Sequence, residues 1–472
     1  MSPWIPQHKP LDRLAWKVFP ANIMYLFMVG TTIAIGLYFQ LPWWAFAFVF
    51  VPVGVFYFVT CMYWGAYLLH PWEKPGDCTK WISFKNPSDE AKYKGKRIDI
   101  ETMYEMYFDE KLDFKDVDLM NVFAQRNEFV TYTFGLTTHV WFLLSQWVPE
   151  TLTHTKRQDE SQVVDHYDRG NIVDVRDEAE DDFYGGFLGD RMVYTSGICL
   201  TGDESLEQMQ DNKMNQVCNL VKMKKGDRHL DIGCGWGTLV NHSAKNFGSQ
   251  STGVTLAKNQ VAYATNVSKK LGTEKNIRLL RMDYRDIPNE KFDKVTCLEM
   301  AEHVGVKNFQ KFLCQVRELM EDDGIFYLQI AGLRRAFQYE DLVWGLFMAK
   351  YIFPGADASM PLGWVVGQLE LAGFEIQSVD TIGVHYSLTI KKWFENWVKN
   401  KAKIVAKHGE RWYRIFHLFL AWSTFISGTG GATCFMITCF KNRNAFDRRQ
   451  MIANRLKGDN NKTTIDLNKK FK

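Results

Sequence analysis

The sequence predicts a doubly wound, mostly parallel α/β domain behind a pair of long apolar helices. Three observations carry that expectation. A glycine-rich turn, "GCGWG", sits between a strand-like and a helix-like segment. Five further strand-like runs follow or flank it at α/β spacing. Two long uncharged runs stand near the N-terminus.

The 472 residues suffice for a catalytic domain and an appendage. The net charge of +3 gives no large basic field, so nothing points to nucleic acid. The nine cysteines are odd in number and form no CxxC pair. That argues against a disulfide framework or a metal site and for reduced thiols.

The apolar runs are "ANIMYLFMVGTTIAIGLYF", 21–39, and a second at about 45–69. Each has the length of a transmembrane helix. Lys9, Arg13 and Lys17 precede the first, and Lys74, Lys80 and Lys85 follow the second. The positive-inside rule then predicts a transmembrane hairpin with both flanks in the cytosol. The expectation is an integral membrane protein of the endoplasmic reticulum, with residues 1–75 as anchor. Residues 76–155 read as a connecting region. Within it Phe129–Pro149 reads equally as a helix lying on the lipid bilayer or as one packed on the catalytic domain. The catalytic domain is expected over 156–445 and a polar tail over 446–472.

"DRHLDI" reads as a buried strand, "GCGWG" as a tight turn and "TLVNHSAKNF" as a helix. Gly233, Gly235 and Gly237 let the backbone approach a ligand closely, with Cys234 and Trp236 between them. Nicotinamide, flavin and S-adenosylmethionine sites all share such a turn. No GK[ST] follows, so it is not a P-loop. The next strand, in "GVTLAKNQ", closes on Val254 and Thr255, where a dinucleotide site commonly has an acid for the ribose. Asp231, just before the turn, suits the amino group of a methionine moiety. In "RMDYRDI", Asp283, Tyr284 and Arg285 stand where methyltransferases meet the adenine. Together these predict a Rossmann-like class I S-adenosylmethionine methyltransferase domain.

The ordered set "HYDRGN", "YTSG", "LDIGCGWG", "GVTLAKNQ", "DYRD", "EHVG", "KYIFPG" and "HYSLTIKKW" resembles the cyclopropane fatty acid synthase and mycolic acid methyltransferase family over about 160–440. With an apolar N-terminal segment in front, it resembles the sphingolipid carbon-9 methyltransferases of that family. The resemblance implies that Thr255 and Gln260, flanking Leu256 in "TLxxxQ", hold the ribose. Tyr194 and Thr195 would cover the cofactor, S-adenosyl-L-methionine, and Asp231 to Gly237 would cradle it. The implied substrate is a membrane sphingolipid, methylated on carbon 9 of a Δ8-unsaturated sphingoid base in a ceramide or glucosylceramide. The rivals are a cyclopropane synthase on phospholipid acyl chains and a head-group N-methyltransferase. Oligomeric state is left open.

An alkene is a poor nucleophile, and its methylation leaves a carbocation. The protein must stabilise that cation, exclude water and remove a proton. In the family a bound bicarbonate is the proposed base. By the resemblance, Glu302, Tyr386 and the turn at Ser196 would hold it, with Gln329 where the family has His and Ser423 near its Cys. Gln329 can hydrogen-bond an anion but carries no charge, so proton removal is expected to differ from that of the ring-forming enzymes. The run Trp412–Phe440 reads as a cover for the lipid pocket, with a third membrane span as the alternative. Val343, Trp344, Phe347 and Met348 read as core rather than as an acyl channel. The acidic insertion Ile172–Asp181 is assigned no role.

Overall fold

The computed structural model describes residues 21–69, 76–132, 142, 183–335, 339–356, 358–443, 445, 448 and 449. Its centre is a seven-stranded sheet. The strands are β5 (Arg228–Ile232), β6 (Gln250–Thr255), β7 (Ile277–Arg281), β8 (Phe292–Leu298), β9 (Met320–Leu333), β10 (Phe374–Thr381) and β11 (Ala432–Lys441). They lie in the order β10-β11-β9-β8-β5-β6-β7. The pairs β5–β6, β6–β7, β5–β8 and β8–β9 are parallel, and β11 runs antiparallel to both neighbours.

Helices cover both faces, so the central strands are buried on both sides. On one face Phe309, Phe312, Leu313 and Val316 form a single stripe of the helix Val306–Leu319. They pack on Leu230, Val295, Phe326 and Leu328. On the other face Met214, Val217 and Cys218 of the helix Leu206–Leu220 meet Leu239, Tyr327 and Met436. That helix starts at a capping box, Ser205 with Gln208, which satisfies two of its end N–H groups.

Part of the architecture departs from the sequence expectations. The run 412–440 is neither a third span nor one covering element. It is a helix, Glu410–Gly428, buried along almost its whole length, followed by β11 inside the sheet. A run apolar on every face has the same composition in a bilayer and in a core, and length alone did not separate the two. Gly430, at φ 76°, makes the turn between them. Val343, Trp344 and Phe347 are core residues.

Residues 76–132 are part of the catalytic body rather than a connector. Two small sheets brace them. β1 (Ile82–Phe84) pairs antiparallel with β3 (Leu112–Phe114), and β2 (Ile98–Asp99) pairs parallel with β4 (Val130–Thr131). Tyr104, Phe108, Phe123 and Phe129 share one core with Phe347, Phe416 and Trp422. Glu340 accepts from Arg126, from Tyr132 Oη at 3.0 Å and from Trp422 Nε1 at 3.0 Å. Most of 129–149, and all of 166–181, lie outside the described residues.

The two N-terminal runs form helices, Ala21–Tyr38 and Phe46–Leu69. They pair through a Thr31 Oγ1–Tyr57 Oη hydrogen bond of 2.8 Å and stacked Phe27 and Tyr57 rings. Among the described residues, however, no helix is long and apolar enough to cross a membrane. The expectation of a transmembrane hairpin, and of an integral protein of the endoplasmic reticulum, is corrected accordingly.

Candidate active site

A cavity of about 1080 Å³, its open mouth included, lies beyond the carboxyl ends of β5, β6 and β8, where open α/β sheets bind ligands. The turn after β5 forms its floor. Gly233, Gly235 and Gly237 all have positive φ, at 79°, 53° and 78°. A Cβ on Gly233 would stand 2.5 Å from Met300 Cβ, and one on Gly237 2.5 Å from Ala264 Cβ. The backbone is therefore the surface offered here, leading into the N-terminus of the helix Thr238–Phe247.

Of the sequence-predicted cofactor residues, Tyr194, Thr195, Asp231, Gly233, Cys234, Gly235, Trp236, Thr255, Leu256, Gln260, Asp283, Tyr284 and Arg285 line this cavity. Gly237 does not line it and instead caps the helix. Thr255 Oγ1 donates to Gln260 Oε1 at 2.6 Å, so the strand end and the helix after it present one joint polar edge. Asp283 accepts from the backbone N–H and the guanidinium of Arg285, at 2.6–2.8 Å. The Tyr194 ring is fixed by Tyr184, Phe187, Phe353 and Trp393, with centroids 5.4–5.6 Å away.

Asp231 is buried at the head of a polar chain. Thr296 Oγ1 donates to its Oδ1 at 2.6 Å, and His229 Nε2 lies 2.8 Å from the same hydroxyl. Burial pushes the Asp231 carboxyl up to about 7, against the pull of Thr296 and Lys213. Burial likewise holds His229 down at about 3, so it is neutral. Lys213 is fully buried, bonds Thr195 Oγ1, and is brought down to about 8 by burial against the opposing charges of Glu299 and Asp231.

A second cluster adjoins the cradle, centred on a residue that sequence reasoning missed. Glu299 follows the last residue of β8 and lines the cavity. Its Oε1 accepts from Ser196 N at 3.1 Å, Gln329 Nε2 at 2.5 Å and Cys434 Sγ at 3.6 Å. Its Oε2 accepts from Tyr386 Oη at 2.8 Å. Tyr386 sits on the helix Gly383–Lys399, not on a strand. Burial first, and then the Glu299 charge, push the Tyr386 phenol and the Cys434 thiol well up, so both remain protonated donors.

Three of the four predicted catalytic positions, Ser196, Gln329 and Tyr386, thus converge, Ser196 through its backbone N–H. The carboxylate they meet is not Glu302. That residue lies one 3₁₀ turn further on, and its Oε1 accepts from Ala331 N at 2.6 Å, bracing β9. Nor is Ser423 in the cluster. It accepts from Trp344 Nε1 at 3.0 Å, and the sulfur is Cys434 on β11. The signal available in the sequence was a second acid in "LEMAEH", placed directly at a strand end. Among the described residues no group of His, Cys, Asp and Glu is arranged to hold a metal ion.

Fold and cradle together define a class I S-adenosylmethionine-dependent methyltransferase. The donor set fits that cofactor: a buried acid for an ammonium, a Thr–Gln edge for hydroxyls, and a backbone turn that a Cβ would fill. The family model of mycolic acid cyclopropane synthetase matches residues 154–434. Sphingolipid C9-methyltransferase 2 of Gibberella zeae is 52% identical over 374 residues, covering 78% of this chain and 70% of that protein. The sphingolipid C9-methyltransferase of Komagataella phaffii is 48% identical over 385 residues, 79% of this chain and 76% of its own. Among solved structures, mycolic acid cyclopropane synthase CmaA1 complexed with SAH and CTAB superposes with a TM-score of 0.55 at 22% identity. It covers 60% of this chain and 98% of that one, a likeness of fold. The chain belongs to the mycolic acid cyclopropane synthetase family and, within it, to the sphingolipid C9-methyltransferases.

Proposed function

We propose that this enzyme methylates a carbon–carbon double bond of a sphingolipid, at carbon 9 of a Δ8-unsaturated sphingoid base carried in a ceramide or glucosylceramide. The observation that carries this reading is 46–52% identity to six sphingolipid C9-methyltransferases over 78–79% of the chain. The site's chemistry supports it, because the acceptor cluster opens on the same cavity as the cofactor cradle.

Bound S-adenosylmethionine supplies an electrophilic methyl group on a sulfonium. Asp231 takes the methionine ammonium, and the Thr255–Gln260 edge takes the ribose hydroxyls. Asp283, Tyr284 and Arg285 close the adenine end. Tyr194, locked by its aromatic neighbours, offers a π face to positive charge developing on the substrate. Ser196, Gln329 and Tyr386 hold their carboxylate toward the cavity, while Glu302 fixes β9 beneath them.

The test is lipid mass spectrometry on a host supplied with Δ8-unsaturated glucosylceramide and methyl-labelled methionine, expressing the full chain. A glucosylceramide carrying one labelled branch methyl and still unsaturated is the expected result. An unchanged sphingolipid pool beside labelled, ring-bearing phospholipid acyl chains overturns the proposal in favour of cyclopropanation.

A further inference from the structure

Four donors from four separate elements converge on one point: the loop at Ser196, β9 at Gln329, the helix at Tyr386 and β11 at Cys434. Such a nest of donors is an anion site. An ionised carboxylate accepts and never donates, which matches a shell made only of donors. The family resemblance puts a free bicarbonate at such a place. In this chain that place is filled from within, because the Glu299 carboxylate takes all four donors. The residues therefore do not fit a separate bound anion.

The backbone points the same way. Glu299 has φ 51°, the left-handed region that a non-glycine residue enters only against steric resistance. Its N–H is tied to Gln329 O at 2.7 Å, which fixes the turn. Glycine would adopt this conformation freely. A glutamate held there sends its side chain into the donor shell.

We propose that Glu299 is the base of the reaction and that its carboxylate replaces the free bicarbonate of the family mechanism. This rests on the C-methylation reading above. The alkene pair forms the new C–CH3 bond at one carbon as the S–CH3 bond breaks, leaving a cation on the neighbouring carbon and a neutral thioether. Glu299 then takes the proton from the methylated carbon, and the C–H electron pair restores the double bond. The sulfonium's positive charge has left as that proton, now on the Glu299 carboxyl, and passes to water once product departs. Gln329 has no charge and Tyr386 and Cys434 remain protonated, so none of the three competes for the proton.

Two variants and one spectroscopic measurement test this. Glu299→Gln keeps the volume and removes the base. Turnover on Δ8-unsaturated glucosylceramide falls by about 10²-fold or more, while S-adenosylhomocysteine still binds by calorimetry. Glu299→Gly is tolerated by the backbone and empties the shell, so added bicarbonate restores part of its turnover. Wild-type turnover is the same in bicarbonate-depleted buffer. By NMR, 13C-bicarbonate broadens with the glycine variant and not with wild type, a readout independent of the lipid. Full turnover in Glu299→Gln, or bicarbonate binding to wild type, overturns the proposal. A wild-type enzyme inert on the lipid, with the NMR contrast intact, instead overturns the C-methylation reading.

Discussion

Asp231 has to be an anion to hold an ammonium, yet burial raises its carboxyl to about 7 in the ligand-free protein. On the reading proposed above, a proton and the cofactor's ammonium compete for this one site. The sign follows: affinity is full above about 7 and falls as pH drops below it, by up to about tenfold per unit. Lys213, at about 8, keeps its charge through that window and steadies the anion, while His229 is neutral throughout. Calorimetry with S-adenosylhomocysteine at about pH 6 and about pH 8 should show this loss, and Asp231→Asn should bind weakly at both with little pH dependence. Equal wild-type affinity at the two pH values would contradict the assignment. Most of the cradle was legible in the sequence because turn glycines and a strand-end acid are local signals. Glu299 was not. Choosing between it and Glu302 depends on a φ of 51° and on donors from strands 30 and 135 residues away.

Elements are joined here by contacts that no local pattern announces. Arg126 and Glu340 are 214 positions apart, and both are largely buried. Their pair, with Tyr132 and Trp422, fastens residues 76–132 to the helices Tyr339–Phe347 and Glu410–Gly428. Removing one member of a buried pair strands the other charge. Glu340→Ala is expected to cost about 3–5 kcal/mol, read as a lowered denaturation midpoint, whereas an exposed pair such as Arg191–Asp211 should contribute about 0–1 kcal/mol. The strands β5 to β10 were readable as strand-like runs at α/β spacing. β11 was not, since it continues without a charge from a helix that is itself buried on every side. The placement of Gln329 and Cys434 depends on that strand, because β9 pairs β11 with Cys434 opposite Ala331, two residues from Gln329.

At the scale of the whole molecule, the sheet order brings the ends of β5, β6 and β8 to one rim, and the inserted β11 brings the thiol to it. The cradle and the carboxylate cluster then face one cavity, as a single-step transfer followed by proton loss requires. The N-terminal helices Ala21–Tyr38 and Phe46–Leu69 pair with each other, and among the described residues no helix is long and apolar enough to cross a membrane. The central claim is that methyl transfer ends with proton loss from the methylated carbon to a protein carboxylate. Purified enzyme, Δ8-unsaturated glucosylceramide and S-adenosylmethionine bearing a trideuterated methyl group test it most directly by mass spectrometry. The account predicts a branched product that keeps all three deuterons. A product that has lost one of them, with a ring in place of the double bond, would contradict it.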